Sequence, residues 1–203
     1  MVTRGVVVLV LVAAAVLTSC GTSYHYVSNA STGTFFKVPS SWKVYGKSQV
    51  LAAAGQLSTS GGAERFLVAF DGSPHPSLND DFSSSYPFGI ASVRLLSQQE
   101  QDQYSFANLR NEIFPVDNVA NQDPNSIHIV TPPTVVTHGT LRGMRMEYSL
   151  KSNGAAFTVD QIGYVDTPTT KVWYLIVGCQ LSCYQRYSGD IHRVIGSWTV
   201  EGK

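Results

Sequence analysis

The second half of the chain reads as one strand after another, which limits the possible folds more than any other feature of the sequence. The candidate strands are residues 127–130, 135–137, 141–150, 157–165 and 171–177, which are rich in Val, Ile, Tyr and Phe. Turn-forming pairs, Asn153-Gly154 and Thr167-Pro168, lie between them. β-branched and aromatic runs separated by short turns are typical of consecutive hairpins. The sequence therefore predicts an antiparallel meander here.

The first half contains strand signals that are less regularly spaced. Residues 35–38 and 42–45 are separated by Pro39 and a Ser-Ser pair, which predicts a hairpin-like opening. Residues 65–70, Arg-Phe-Leu-Val-Ala-Phe, form an apolar run that suits a central strand. Residues 88–96 are a further candidate, so we expect strands in both halves of the chain.

One helix is expected between the two halves. Ser97 and Glu100 have the spacing of a capping box, in which each side chain bonds the backbone N–H of the other residue. The mixed apolar and polar residues that follow predict a single amphipathic helix of about four turns, ending at Pro115. Residues 115–126 are predicted to form a loop.

The C-terminal end combines a strand, a helix and a final strand. Residues 172–177, Val-Trp-Tyr-Leu-Ile-Val, read as a buried strand. Residues 183–195 carry apolar side chains at helical spacing, and residues 197–200 return as a short strand. The order strand, helix, strand closes the predicted domain.

The N-terminus has the organisation of an export signal. Residues 1–4 carry one positive charge, and Val6–Leu17 is an unbroken run of Val, Leu and Ala. Twelve residues in a helix span about 18 Å, which is too short to cross about 30 Å of bilayer hydrocarbon. The next residues are small and polar, with no basic stop-transfer cluster behind them. We therefore expect residues 1–19 to be cleaved off.

Residues 17–20, Leu-Thr-Ser-Cys, resemble the lipobox of bacterial lipoproteins. The resemblance implies that the Cys20 thiol receives a diacylglyceryl group, that the leader is cut just before Cys20, and that acyl chains hold the protein on the extracytoplasmic face of the membrane. An ordinary secretory signal, with Cys20 near the cut by chance, is the alternative. Residues 20–33 are small and polar and are predicted to be a flexible tether, followed by one globular domain over residues 34–203.

Charge argues against nucleic acid as a partner. Without residues 1–19, the chain has 13 basic and 14 acidic residues. Nucleic-acid binding relies on clustered Lys and Arg that neutralise phosphates, and the sequence has no such cluster. The 184 residues that remain are enough for one domain with a substantial core.

The two other cysteines, Cys179 and Cys183, are predicted to form a disulfide. The chain has three cysteines, and assigning Cys20 to lipid leaves one pair, which should be oxidised outside the cytoplasmic membrane. Two thiolates without a nearby His or third Cys fall short of a tetrahedral zinc site. A redox-active pair is the alternative, although the C-x-x-x-C spacing differs from the C-x-x-C of thioredoxin-type sites.

No motif for catalysis, metal binding or a cofactor is found in the sequence. The five histidines show no H-x-x-x-H or H-E-x-x-H pairing; they are His25, His75, His128, His138 and His192. His128 and His138 are the best candidates for a facing pair on neighbouring strands, but solvent-facing positions are the favoured interpretation. Asp71, Asp80 and Asp81 lack the alternation and distal Glu of a calcium loop, so solvated capping roles are favoured. We predict no catalytic residue, no metal and no cofactor.

Aromatic side chains are frequent in this chain, and most must be in the core. The segment that contains Phe82, Tyr86 and Phe88 is flanked by loop signals. Binding surfaces often present aromatic side chains. These three residues are therefore the candidate binding residues.

Taken together, these motifs resemble the PsbP-like lipoproteins of actinobacteria over about residues 34–201. The features that carry the resemblance are Phe-Lys-Val-Pro at 36–39, Trp42, the central meander, the strand 173–177 with Cys179 and Cys183, and Ser-Trp-Thr-Val at 197–200. The resemblance implies an α/β/α sandwich, in which an antiparallel sheet packs between helices and the two termini lie side by side. It also implies binding of envelope proteins or lipids.

Three functional hypotheses follow. The first is a membrane-anchored, non-catalytic binding or accessory module for envelope proteins, lipids or glycolipids. The second is an envelope glycolipid or peptidoglycan hydrolase, whose acid pair or Ser/His set meets only in three dimensions. The third is a carrier with an apolar cavity for an acyl chain.

Overall fold

The computed structural model describes residues 23–53, 64–152 and 155–202. The strands within these ranges are β1 (Tyr24–Asn29), β2 (Thr34–Pro39), β3 (Lys43–Tyr45), β4 (Glu64–Asp71), β5 (Phe88–Leu95), β6 (Ile127–His138), β7 (Leu141–Ser152), β8 (Ala155–Val165), β9 (Lys171–Gln180) and β10 (Thr199–Val200). The helices are α1 (Lys47–Ala53), α2 (Gln98–Gln101), α3 (Phe106–Arg110), α4 (Val116–Gln122) and α5 (Leu181–Gly196), with a 3₁₀ turn at Pro124–Ser126.

A seven-stranded antiparallel sheet forms the centre of the fold, in the order β3-β4-β5-β9-β8-β7-β6. Strands β6 to β9 are neighbours in sequence order, which confirms the predicted meander. The two strands predicted over 127–137 are one edge strand, β6. Its register shifts near Pro132 and Pro133, because proline has no N–H for the ladder and is tolerated at an edge.

Strand β9 is buried on both faces, which explains its continuous apolar sequence. Trp173, Leu175 and Val177 point into one core cluster, whereas Tyr174 and Ile176 point into another. Alternate residues of a strand face opposite sides of the sheet. A strand covered on both sides therefore reads as an unbroken hydrophobic run.

Helices cover both faces of the large sheet, as the α/β/α sandwich requires. Helix α5 packs on β8 and β9 from one side, and α3 packs on β7 and β8. The core beneath α3 and α4 contains Leu109 and Val116, whereas the core beneath α5 contains Ile191. The predicted fold class, an antiparallel sheet between helices, is confirmed.

A second, three-stranded sheet of order β1-β2-β10 lies on the α5 side. Strand β10 pairs with β2, which brings the C-terminal segment beside the N-terminal one. Strand β2 does not pair with β3, so the predicted hairpin-like opening is wrong. Strand β3 instead pairs with β4 in the large sheet, since the chain crosses between the sheets after Pro39.

Strand β1 lies within the segment predicted as a flexible tether. It pairs with β2 over its whole length, from Tyr24 opposite Pro39 to Asn29 opposite Thr34. Val27 packs against the core, and Gly33 closes the turn with a positive φ of 64° that suits glycine. Polar composition hid the strand, because an edge strand needs few apolar residues on its solvated side. The leader and Cys20 lie outside the described residues.

The helix predicted after Ser97 is divided into separate short helices. Ser97 and Glu100 do form the predicted capping box at α2, but Ser105 and Asn108 form a second one that starts α3. The N-cap residue is extended rather than helical, so the cap at Ser105 interrupts the single helix that was expected to continue to Pro115. Residues 116–122, predicted as loop, form α4.

Candidate functional site: an apolar cleft beside α4

A cleft of about 560 Å³ opens where α4 meets the ends of β7 and β8. Its lining is mainly apolar and consists of Asp81, Phe82, Ser83, Phe114, Pro115, Val119, Leu150, Lys151, Ala155 and Phe157. Ligand cavities commonly have volumes of about 300–1,000 Å³ and apolar walls with a few polar groups. The size and the lining therefore both match a small-molecule site.

Three phenylalanines form the floor of the cleft. The ring centroids of Phe82 and Phe114 are 5.5 Å apart with the rings edge to face, and those of Phe114 and Phe157 are 5.4 Å apart. Edge-to-face pairs in this distance range attract each other beyond simple burial. The floor is therefore a preformed apolar surface.

The three candidate binding residues do not form one surface. Phe82 is 7% exposed and Phe88 is 6% exposed, and their rings pack edge to face with centroids 5.7 Å apart. Tyr86 is half-buried and packs instead against Tyr187 of α5. The prediction that this segment presents its aromatics to solvent is wrong for Phe82 and Phe88, because the core takes both rings. Phe82 reaches the ligand space only as part of the cleft floor.

The rim of the cleft carries opposite charges. Lys151 and Asp81 both line the cleft, and both are exposed. Asp81 also organises its own loop, because its Oδ1 accepts a 2.7 Å hydrogen bond from the Ser83 backbone N–H. The end of an apolar ligand that reaches the rim of the cleft would thus lie near a lysine ammonium and a carboxylate.

Helix α4 is held in place by the carboxylate of Asp117. Arg110 and Asn111 donate hydrogen bonds of 2.6 Å and 2.7 Å to Asp117 Oδ2, and the Asp117 backbone N–H donates to Asn111 Oδ1. The hydrogen bond from Arg110 lowers the pKa of Asp117. This network fixes the wall that Pro115 and Val119 contribute.

Gln161 joins α3 to the sheet from within the core. The hydroxyls of Tyr148 and Tyr174 donate to Gln161 Oε1 at 2.7 Å and 2.6 Å, and Gln161 Nε2 donates to the Arg110 carbonyl at 3.1 Å. A buried polar side chain is tolerated only when its hydrogen bonds are satisfied. The sequence analysis did not predict this role for Gln161, although a Gln inside an apolar strand indicates a buried hydrogen-bond network.

On the opposite face, β7, β8 and α5 bring together a charged cluster. Arg145 donates two hydrogen bonds to Asp160, at 3.1 Å and 2.6 Å, and His192 Nε2 lies 3.3 Å from Glu147 Oε1. The Tyr184 hydroxyl lies 3.4 Å from the same His192 nitrogen. Asp160 is fully buried, and this burial raises its pKa to about 6.

Ligand atoms of Glu147, Asp160 and His192 lie within 4.8 Å of one another. These are residue types that bind divalent metals. However, Arg145 already engages both oxygens of Asp160, and its positive charge opposes a cation at this position. The cluster therefore acts as an ion-pair network that fastens α5 to the sheet. In the sequence, the signal for this cluster is the pair of polar residues Asp160 and Gln161 inside the otherwise apolar strand 157–165.

His128 and His138, the facing pair considered from the sequence, lie at opposite ends of one strand, β6. Ten residues of strand separate them by about 33 Å, so they cannot share a ligand. Both are exposed, as the favoured interpretation predicted. Asp71, expected to be solvated, is instead fully buried and accepts hydrogen bonds from the Ser73 and Ser77 backbone N–H groups.

A polar cavity of about 320 Å³ lies beside α2 and α3. Arg94 lines this cavity and pairs with Glu112 at 2.6 Å and with Glu100 at 2.8 Å. The Tyr104 hydroxyl donates to the other oxygen of Glu112 at 2.7 Å. Because these groups are paired with one another, they hold the short helices against β5.

In the described residues, no helix combines the length and apolar character needed to cross a bilayer.

The fold is shared with solved structures of other proteins. No protein-family model matches the chain, and curated protein sequences give no match either. Solved structures do match: the fold is the PsbP-like arrangement of an antiparallel sheet between helices.

The crystal structure of LpqN, a protein involved in cell envelope biogenesis of Mycobacterium tuberculosis, superposes with a TM-score of 0.51 at 14% identity, covering 89% of this chain and 91% of LpqN. The solution structure of the cyanobacterial PsbP from Synechocystis sp. PCC 6803 gives a TM-score of 0.51 at 14% identity, covering 91% of this chain and 99% of that one. At this level of identity the likeness establishes a shared fold.

Proposed function

We propose that this protein is a cell-envelope lipoprotein, anchored at Cys20 to the extracytoplasmic face of the membrane, that binds the acyl chain of an envelope lipid or glycolipid without catalysing a reaction. The observation that carries the proposal is the apolar cleft floored by Phe82, Phe114 and Phe157. The anchor is argued from residues 17–20 of the sequence.

The cleft has the chemistry of an acyl-chain site. Each methylene moved from water into an apolar cavity contributes about 0.8 kcal/mol. The aromatic floor is preformed, so little ordering opposes binding. Lys151 at the rim offers an ammonium group to an anionic or hydroxylated headgroup, which would orient the lipid with its polar end outward.

The charged groups of the two cavities support binding rather than catalysis. Arg94, Glu100 and Glu112 in the polar cavity are paired with one another. In the apolar cleft, the charged residues of the described lining are Asp81 and Lys151, both at the rim. General acid–base catalysis needs a titratable group within hydrogen-bond reach of the reacting atoms, and the two glutamates of the described polar cavity are instead engaged by Arg94 and Tyr104.

A fluorescent fatty acid tests the cleft directly. We expect cis-parinaric acid to bind the wild-type protein with enhanced emission, and Ala155→Trp to abolish the enhancement because the indole would fill the cleft beside Phe157. Ala52→Trp is the matched control, since Ala52 lies exposed on α1 and should leave binding unchanged. Equal binding by both variants would place the fatty acid elsewhere and contradict the proposal.

The anchor is tested on protein extracted from the membrane fraction of the producing bacterium. We expect an intact mass that begins at Cys20 and includes a diacylglyceryl group, and Cys20→Ser should release the protein into the medium. An unmodified mass with a different N-terminus would leave an ordinary secretory signal as the explanation.

A further inference from the structure

Strand β1 leaves very little chain between the folded domain and the proposed anchor. The Ser23 carbonyl accepts a 2.8 Å hydrogen bond from the Ser40 backbone N–H, so the domain is already ordered at Ser23. Only Gly21 and Thr22 separate Ser23 from Cys20. A span of three residues extends at most about 11 Å, which is close to the thickness of the headgroup layer on one side of a bilayer, about 5–8 Å.

The residues that surround this attachment point are aromatic and basic. Tyr26 is 81% exposed, and it lies opposite Lys37 in the β1–β2 ladder. The ammonium of Lys37 lies 4.8 Å from the centre of the Tyr24 ring. We call Tyr24, Tyr26 and Lys37, which lie together on the outer face of the β1–β2 hairpin, the β1 surface.

Charge is distributed unevenly between this end of the chain and the rest. Residues 20–63 contain three lysines and no Asp or Glu, whereas residues 64–203 contain 10 basic and 14 acidic residues. The segment that builds β1, β2 and β3 therefore carries a positive charge within an otherwise acidic protein. This polarity complements a surface of anionic lipid.

We propose that the β1 surface rests on anionic phospholipid headgroups, so that the domain sits on the membrane in one orientation instead of swinging on a tether. This inference rests on the proposed anchor at Cys20 and goes beyond it, because a lipid anchor alone does not fix which face meets the bilayer. Tyrosine rings favour the membrane–water interface, and lysines extend their ammonium groups to lipid phosphates while their stems stay on apolar surface.

The orientation has a consequence for the cleft. The small sheet and α5 lie on one face of the large sheet, and the cleft beside α4 lies on the other. With the β1 surface on the lipid, the cleft stays open to the envelope rather than being covered by the bilayer.

The test supplies the anchor chemically, so it does not depend on lipidation in the cell. The chain from Cys20 to Lys203 contains every described residue, and its other two cysteines are in a disulfide. Cys20 can therefore be coupled to a maleimide lipid in vesicles of phosphatidylcholine and phosphatidylglycerol. Tyr26→Trp places a reporter on the β1 surface, and Val135→Trp is its control on edge strand β6, where Val135 is 68% exposed.

We expect lipids brominated near the headgroup to quench the emission of the Tyr26→Trp protein beyond that of the wild type, with a shift to shorter wavelength, and to leave the Val135→Trp protein at the wild-type level. Trp42, Trp173 and Trp198 are buried and supply a constant background. Quenching of both reporters, or of Val135→Trp alone, would overturn the proposed orientation.

A second experiment measures the charge contribution on protein with Cys20→Ser. A lysine near an anionic surface favours binding by about fivefold, so Lys37→Gln should weaken binding to phosphatidylglycerol vesicles by about fivefold. Arg142→Gln removes the same charge from an exposed position on β7 and should have a much smaller effect. Equal losses would show attraction through net charge alone and contradict a specific β1 surface.

The two proposals fail separately. An unmodified Cys20 in cells would refute the anchor, whereas the vesicle measurements would still decide whether the β1 surface contacts lipid. A modified Cys20 with an unquenched Tyr26→Trp reporter would keep the anchor and refute the oriented contact.

Discussion

Trp173 donates its indole N–H to the backbone carbonyl of Thr32 at 2.8 Å, and this bond joins the two sheets. Trp173 lies near the start of β9, the central strand of the large sheet, and is fully buried, whereas Thr32 belongs to the turn between β1 and β2. The β1–β2 hairpin, which carries the β1 surface, is thus fastened to the centre of the domain.

Trp173→Phe should destabilise the domain more than Trp198→Phe. Both tryptophans are buried on the same side of the large sheet, but Trp198 Nε1 has no hydrogen-bond partner among the described residues. Trp173→Phe leaves the Thr32 carbonyl unpaired, which adds about 1–3 kcal/mol to its cost relative to Trp198→Phe. Urea unfolding measures both variants. Equal losses would show that the bond to Thr32 contributes little.

Reducing the disulfide should destabilise the domain modestly. Cys179 and Cys183 are bonded with their Cα atoms 5.8 Å apart, and the bond joins the end of β9 to the first turn of α5. So short a loop contributes about 2 kcal/mol on the loop-entropy estimate, or about 4–8 °C of Tm for a domain of this size.

The measurement is thermal unfolding of Cys20→Ser protein with and without reductant. A variant in which Cys179 and Cys183 are both Ala should not respond to reductant. An unchanged Tm for the parent protein on reduction would contradict a stabilising role.

Stability should depend on pH through Asp160. Burial raises the pKa of Asp160 from 3.8 to about 6, so the folded state holds a proton that the unfolded state has already released. The contribution of Asp160 to the unfolding free energy therefore falls as pH rises from about 4 to about 6, by about 3 kcal/mol, and is constant above that.

Asp160→Asn keeps a neutral side chain at every pH and should remove this slope, as measured by urea unfolding across the same range. Asp117→Asn is a control with the opposite sign. The hydrogen bond from Arg110 lowers the pKa of Asp117, so Asp117 stabilises the fold above its unfolded pKa and loses that effect as pH falls. Identical pH profiles for wild type and Asp160→Asn would refute the assignment.

Phe82→Ala should cost about 3–5 kcal/mol of unfolding free energy, the usual range for a buried phenylalanine. The ring contacts Phe88, Phe114 and Phe157, so its removal opens a cavity under the cleft. Phe106→Ala is the matched control, because Phe106 is 39% exposed, and it should cost less than about 1 kcal/mol. A small loss at Phe82, measured by chemical unfolding, would mean that the floor is not part of the core.

Local signals in the sequence were enough to predict the elements whose residues depend mainly on their own neighbours. The apolar run of β9, the helical spacing of α5 and the capping box at Ser97 all appear in the structure where they were expected. Each of these signals comes from a short stretch of chain, so no knowledge of distant contacts is needed.

Features that depend on distant partners were not predictable in the same way. The sequence of strand β1 resembles a polar linker, and only its pairing with β2 makes it a strand. Strand β3 was assigned to the wrong partner because the sequence of a strand does not specify which other strand it pairs with. The cleft combines a loop residue, Phe82, with α4 and the ends of two strands. Asp160 and His192 are 32 positions apart in the sequence and meet only when α5 folds onto β8.

The most direct test of the central claim is native mass spectrometry of the protein isolated from its own membranes, before and after denaturation. The account predicts a lipid or glycolipid that is lost on denaturation, together with a covalent diacylglyceryl group on Cys20 that remains. Ala155→Trp should retain the covalent group and lose the bound lipid. If the wild-type protein isolated from these membranes carries no non-covalently bound lipid, the proposed acyl-chain site is contradicted, and the search moves to protein partners.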